Sequence, residues 1–261
     1  MEKISFNFAD HVITINEPIQ DLLISRGLPR VKSTVITNSA EDARFASPSV
    51  LSACEESKEQ FVMMYHGTLT SIYGLDIAIE AFALASNEMP KAELWILGDG
   101  TEKNALSKLA HDRGLGSRVR LIGQVPPSEI PTWLNQCDVG VLPIRSDVFL
   151  EFASPNKLPE YIVMGKAVLI SRLRAIRYYF SEDALAFFEP NNASALAEEM
   201  VRLYRDPELR VQLAARAEEE YAPICWHVMK ERYLRLIEEM VGPARGTVVP
   251  THLAATVGAP K

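Results

Sequence analysis

The chain has 261 residues, 48% hydrophobic and 23% charged, the profile expected of a soluble globular protein with one large or two small α/β domains. Its 27 basic and 34 acidic side chains leave a formal net charge of -7 with no extended basic run, which argues against nucleic acid while leaving room for a local anion site. No stretch reaches about 18 apolar residues, and Cys54, Cys137 and Cys225 show neither metal nor redox spacing, which suits a reducing compartment. The first ten residues carry acids early and lack the apolar core of a secretion signal.

In chain order, residues 11 to 15 read as a short buried strand, and Asn16 is placed to cap a helix that carries Pro18 in its first turn. Residues 33 to 37 are a second β-branched run, followed by a polar loop to about Lys58. Two strands and a helix are too little for a core of their own, so residues 1–60 are expected to pack on the larger remainder of the chain. From Phe61 the pattern alternates. Strands are expected at Phe61 to Tyr65, Ala92 to Leu97, Val119 to Ile122, Val139 to Leu142, Ala167 to Ile170 and Leu185 to Phe188. Helices are expected at Leu75 to Ala85, Glu102 to Arg113, Pro127 to Asn135 and Arg174 to Phe180, with Pro131 counting against the third. Three helices close the series, Asn192 to Tyr204, Pro207 to Tyr221 and Trp226 to Met240, and a Gly-, Pro- and Ala-rich tail over 242–261 reads as flexible. The expected fold is α/β: an open, mainly parallel Rossmann-like sheet with helices on both faces and carboxyl-terminal helices beyond it.

The richest stretch is Ser154 to Gly165, Ser-Pro-Asn-Lys-Leu-Pro-Glu-Tyr-Ile-Val-Met-Gly. A polar loop ends in Asn156 and Lys157, a short helix carries Glu160, and Gly165 closes it. At the carboxyl edge of a parallel sheet, cations and N–H groups suit phosphate, while a carboxylate accepts hydrogen bonds from hydroxyls. A diphosphate joined to a hydroxylated group fits that order. The plainer alternative is a Lys157–Glu160 pair at helical spacing. The loop His66-Gly67-Thr68 offers hydroxyls, amides and close backbone approach, or is merely a tight strand-to-helix turn. Gly98-Asp99-Gly100 is a turn in which Asp99 can hold neighbouring amides by an Asx interaction. Asp147 and Glu151 are possible additional carboxylates. No dinucleotide fingerprint and no P-loop occurs. Tyr178, Tyr179 and Phe180 read as core packing, and Trp226 and Tyr233 as one packed stripe. No metal site is expected.

The order of these motifs resembles the carboxyl-terminal, donor-binding half of the large retaining glycosyltransferase group often called family 4, which has the two-domain GT-B fold. The matching stretches are Tyr65-His66-Gly67-Thr68-Leu69 with Gly74-Leu75-Asp76, Leu97-Gly98-Asp99-Gly100, Val119 to Gly123, Cys137 to Pro143, and Ser154 to Lys166. They cover about residues 61 to 240, while residues 11 to 45 look like the junction between the two halves. The resemblance implies a nucleotide-sugar-binding domain over 61–241 with a junction remnant over 1–60, and hence a truncated chain that lacks most of the acceptor domain. It leaves independent activity uncertain. The implied function is transfer of a sugar from a UDP- or GDP-sugar with retained configuration, without another cofactor. The alternative is a nucleotide-sugar-binding module or partner subunit without catalysis of its own.

Residue by residue, the resemblance places Glu160 on the ribose and Asn156 and Lys157 on phosphate or sugar, with Lys157 and Glu160 carrying the chemistry. His66, Gly67, Thr68, Gly98, Asp99 and Gly100 complete the donor-binding set. The first glutamate of the family's pair falls on Phe152, beside Glu151. Thr68 and Tyr73 stand where many members carry cations, so Lys157 is expected to supply countercharge, with Arg145 and Arg172 as lesser helpers. The implied partners are an unknown glycan or lipid-linked acceptor and a separate amino-terminal half-enzyme. The implied location is cytoplasmic, with a peripheral place at the inner membrane face left open.

Overall fold

The computed structural model describes residues 2–45 and 60–242. The tail expected over 242–261, Gly242 apart, and most of the polar loop to Lys58 lie outside the described residues.

The amino-terminal stretch is an α/β unit with its own sheet. Helix α1 (Glu2–Phe8) leads into β1 (Val12–Thr14), α2 (Glu17–Ser25) crosses over, and β2 (Ser33–Val35) pairs with β1 in parallel, Ile13 opposite Thr34. Asn16, fully buried, begins α2 as the sequence suggests: its side-chain oxygen accepts from the Ile19 N–H at 2.9 Å. Its amide also donates to the Phe152 carbonyl at 3.0 Å, so one side chain both starts a helix and ties this unit to the rest. A short helix, α3 (Asp42–Phe45), comes next.

The main layer is a six-stranded, all-parallel sheet. Its strands are β3 (Phe61–His66), β4 (Ala92–Leu97), β5 (Val119–Gly123), β6 (Val139–Leu142), β7 (Ala167–Ser171) and β8 (Ala186–Phe188). The spatial order is β5-β4-β3-β6-β7-β8. The central strands are near-continuous apolar runs buried on both faces, because helices cover each side. These are α4 (Leu75–Ala85), α5 (Lys103–Asp112), α6 (Ile130–Gln136), α7 (Lys157–Val163), α8 (Arg174–Tyr179), α9 (Ala193–Arg205) and α10 (Pro207–Tyr221), whereas α11 (Trp226–Val241) reaches the amino-terminal unit, where Arg232 donates to the Val35 carbonyl. Pro131 sits in the first turn of α6, where a missing N–H breaks no helical bond, so it does not interrupt the helix. Tyr178 and Tyr233 depart from the sequence reading: 56% and 45% exposed, they lie outside the core.

This order places the site. The chain builds outward from β3 through β5, then returns to β6 on the other side of β3. At that reversal the loops after β3 and β6 diverge, opening a crevice at the carboxyl ends of the strands. His66 is the last residue of β3, and α7 is the helix between β6 and β7.

Candidate functional site

The loops over the crevice are fastened to one another through backbone. The Gly67 N–H donates to the Leu97 carbonyl, the Leu69 N–H to the Asp99 carbonyl, the Glu102 N–H to the Leu69 carbonyl, and the Gly98 N–H to the Gly123 carbonyl, all within 2.7 to 3.0 Å. Such contact demands glycine. Gly98 has φ +135°, and a Cβ there would stand 1.8 Å from the Gly67 carbonyl oxygen. Tyr65 holds the first loop from below by donating its hydroxyl to the Thr68 carbonyl at 2.8 Å, and burial pushes its phenol well above the usual range.

Beneath these loops lies a cavity of about 330 Å³ whose wall includes His66, Gly67, Thr68, Gly98, Asp99 and Glu160. Helix α7 delivers the last of these. Its face of Leu158, Pro159, Tyr161 and Ile162 is buried against the sheet, which turns Lys157 and Glu160 toward the strand ends. Gly165 (φ +64°) stops it, and the Lys166 N–H returns to the Tyr161 carbonyl in a Schellman-type closure.

Lys157 and Glu160 do not form the ion pair that their spacing permits. Glu160 Oε2 meets His66 Nε2 at 2.6 Å, while its Oε1 accepts no hydrogen bond among the described residues. His66 Nδ1 lies 3.0 Å from the Tyr161 hydroxyl, which itself donates to the Met64 carbonyl at 2.7 Å. The Lys157 ammonium lies 4.1 Å from the Tyr73 ring centre and 5.3 Å from that of Tyr65. Its stem passes so close over Gly67 (φ +128°) that a Cβ there would come within 2.1 Å of Lys157 Cε. Among the described residues the ammonium has neither a hydrogen-bond acceptor nor an ion-pair partner. Burial lowers its pKa below the ordinary lysine value, opposed by the nearby Glu160 charge. Tyr73, at a position where a cation would be usual for the resemblance, here supplies the π-face that seats one.

The other expected residues divide. Asn156 precedes α7 but faces a second cavity of about 450 Å³, between residues 36–45 and α11, which it shares with Glu160, Trp226 and Tyr233. The packed stripe expected of Trp226 and Tyr233 is thus cavity wall. Asp99 accepts from the Gly100 N–H and pairs with Lys103, both at 2.8 Å, and these contacts, Lys103 first, hold its carboxyl below the usual range. Asp147 accepts the Phe149 and Leu150 N–H groups, and Glu151 accepts from Ser146 and from the Arg174 N–H. Arg145 bonds the Ser71 carbonyl and Asp76, while Arg172 pairs with Glu182 and Glu189, so neither arginine is spare countercharge for the crevice. Sequence reasoning offered Lys157 as the partner of Glu160 and missed that His66 holds it. Among the described residues no group of three or more potential metal ligands occurs.

The family model that matches, Glycosyl transferases group 1, covers residues 52–220. Among curated relatives, the lipopolysaccharide core biosynthesis glycosyltransferase LpsE of Rhizobium meliloti is 29% identical over 163 residues, 60% of this chain and 44% of that protein. The amylovoran biosynthesis glycosyltransferase AmsK of Erwinia amylovora is 28% identical over 214 residues, 80% of this chain and 51% of that one. The chain thus spans about half the length of these relatives. Among solved structures, Anabaena Alr3699/HepE in complex with UDP and glucose superposes with a TM-score of 0.75 at 19% identity, covering 90% of this chain and 65% of that one. These findings correct the expectation of a donor-half-only member of family 4 on two points. The matching model is group 1 rather than family 4, and residues expected to be a junction remnant build an α/β unit with its own two-stranded parallel sheet beside the six-stranded one. On a match that spans more than half of its length, the chain belongs to the Glycosyl transferases group 1 family.

Proposed function

We propose that the crevice at the β3/β6 reversal binds a nucleoside-diphosphate sugar, UDP- or GDP-linked, and that the chain transfers its sugar with retained configuration to a glycan or lipid-linked acceptor. One observation carries this reading. A half-buried carboxylate whose Oε1 accepts no hydrogen bond and a lysine seated on tyrosine rings with no ion-pair partner, both among the described residues, flank the same glycine-lined strand-end loops. The carboxylate oxygen suits the ribose hydroxyls, and the ammonium over Gly67 suits the diphosphate. The bond between the sugar carbon and the diphosphate breaks as the acceptor oxygen bonds that carbon, and the acceptor proton passes to the departing diphosphate. Developing charge on the leaving group is met by Lys157 and by loop N–H groups already fixed in place. Support comes from the HepE complexes with UDP and UDP-glucose, and from the saccharide-assembly roles in the names of LpsE and AmsK. With a lipid-linked acceptor the chain works at the inner membrane face as a peripheral protein; among the described residues no helix is long and apolar enough to cross a membrane.

The test is calorimetric titration of the chain with UDP- and GDP-sugars, followed by a transfer assay against saccharide and lipid-linked acceptors. Saturable binding of one donor, weakened in Glu160→Ala without loss of the folded signal, supports the reading. Equal affinity in wild type and variant refutes it.

A further inference from the structure

The contacts around His66 fix more protons than a neutral imidazole and a carboxylate can supply. The Met64 carbonyl has no proton to give, so the Tyr161 hydroxyl spends its only proton there, at 2.7 Å. The 3.0 Å contact between that hydroxyl and His66 Nδ1 then requires Nδ1 to be the donor. If that were the only proton on the ring, Nε2 would present a lone pair to a carboxylate oxygen 2.6 Å away, two acceptors pressed together. A second proton must lie between Nε2 and Oε2.

We infer that Tyr161 is a positioning residue which, by claiming the Nδ1 proton of His66, locks a shared proton between His66 and Glu160 and leaves Glu160 Oε1 alone to face the ligand. This rests on the reading of Glu160 as a donor contact. The arrangement is rigid from behind. Tyr161 is fully buried, His66 is 5% exposed, and the Tyr161 ring lies against Gly140, where a Cβ would come within 2.6 Å of it. Besides Tyr161 and Lys157 on α7, the titratable groups that share a cavity wall with Glu160 among the described residues are Asp99 in the strand-end cavity and Glu41, Arg44, Lys230 and Tyr233 in the one beside α11. The chemical consequence concerns charge. A bare carboxylate beside a diphosphate repels it; a carboxylate that shares a proton with imidazole carries no net charge as a pair, yet keeps one oxygen for ribose hydroxyls. Tyr161 thus lets an acid stand where an anion must bind.

The test reads the protons first, without ligand. Imidazole-nitrogen NMR of the labelled chain at neutral pH, with His66 assigned by its absence in His66→Gln, should show both ring nitrogens protonated. In Tyr161→Phe, which keeps the ring on Gly140, His66 should become a neutral ring protonated at Nε2, and UDP affinity should fall about tenfold as Glu160 regains its full charge. A wild-type His66 with a single ring proton overturns the inference whatever the donor does. So does Tyr161→Phe with the same nitrogen signature as wild type. If Tyr161→Phe does not fold, the wild-type spectrum decides alone. Failure of the donor reading is separately visible: the doubly protonated signature persists while Glu160→Ala binds UDP as tightly as wild type.

Discussion

Replacing Lys157 with methionine separates a structural cation from a ligand-binding one, because the two roles predict opposite effects. The methionine stem has comparable length and flexibility, so packing over Gly67 and between Tyr65 and Tyr73 is largely kept. What is lost is a cation–π interaction of about 0.5–2 kcal/mol. What is relieved is the burial of a charge with no ion-pair partner among the described residues, burial that holds its pKa below the ordinary lysine value. The sign is definite: with the folded value below the unfolded one, charged Lys157 opposes folding below the folded value, and that opposition fades as pH rises through it. These terms nearly cancel, so stability should change by less than about 1 kcal/mol in either direction. Binding should not cancel. A charge-assisted contact to phosphate contributes about 1.5–3 kcal/mol, so UDP affinity should drop roughly 10- to 150-fold. Chemical denaturation and calorimetry on one preparation measure both. A variant destabilised by more than about 2 kcal/mol that binds UDP like wild type would refute the reasoning and make Lys157 a packing residue.

The same geometry yields further expected outcomes. A diphosphate beside Lys157 restores its pKa toward the lysine range, so binding should take up a proton in the pH window between the lowered free value and the restored bound one. Calorimetry in two buffers of different ionisation enthalpy reads that uptake, and affinity should fall as pH rises through the window; a pH-independent, buffer-independent enthalpy there contradicts it. Gly98→Ala meets the Gly67 carbonyl oxygen at 1.8 Å with φ at +135°, two rigid obstacles, and should destabilise by on the order of 3 kcal/mol in denaturant unfolding. A loss under about 1 kcal/mol would show that the two loops are not interlocked. Asn16→Ala removes the α2 cap and the bond to the Phe152 carbonyl, and should lower stability by about 1–2 kcal/mol; a neutral result would mean that the amino-terminal unit is only loosely joined.

The fold was legible because it is written in local patterns. Buried parallel strands are near-continuous apolar runs, and Ala92–Leu97, interrupted only by Glu93, and Val139–Leu142 begin and end where their runs do. The helices Leu75–Ala85 and Pro207–Tyr221 emerge from periodicity; the structure adds the Asp206 side chain, which accepts from the Leu209 N–H and caps the second. Strand order was not legible beyond "mainly parallel", since nothing local says that β6 returns to the far side of β3. The site divides in the same way. Asn156, Lys157 and Glu160 stand out because they share one short helical stretch. The partner of Glu160 was hidden because His66 lies 94 positions away, and helical spacing suggested Lys157 instead. Tyr178 misled because an aromatic run reads as core, whereas α8 is a surface helix that buries only Ala175 and Ile176. Arg145 and Arg172 misled because charge alone does not show which acids already hold them.

Everything proposed for the crevice depends on where a nucleotide sits, and a crystal structure of the chain with UDP answers that directly. It should show ribose hydroxyls within about 2.6–3.2 Å of Glu160 Oε1 and the diphosphate against Gly67 and Lys157, under the loop that ends at Gly98. A nucleotide seated instead in the cavity beside Trp226 and Asn38, with Glu160 untouched, would contradict it.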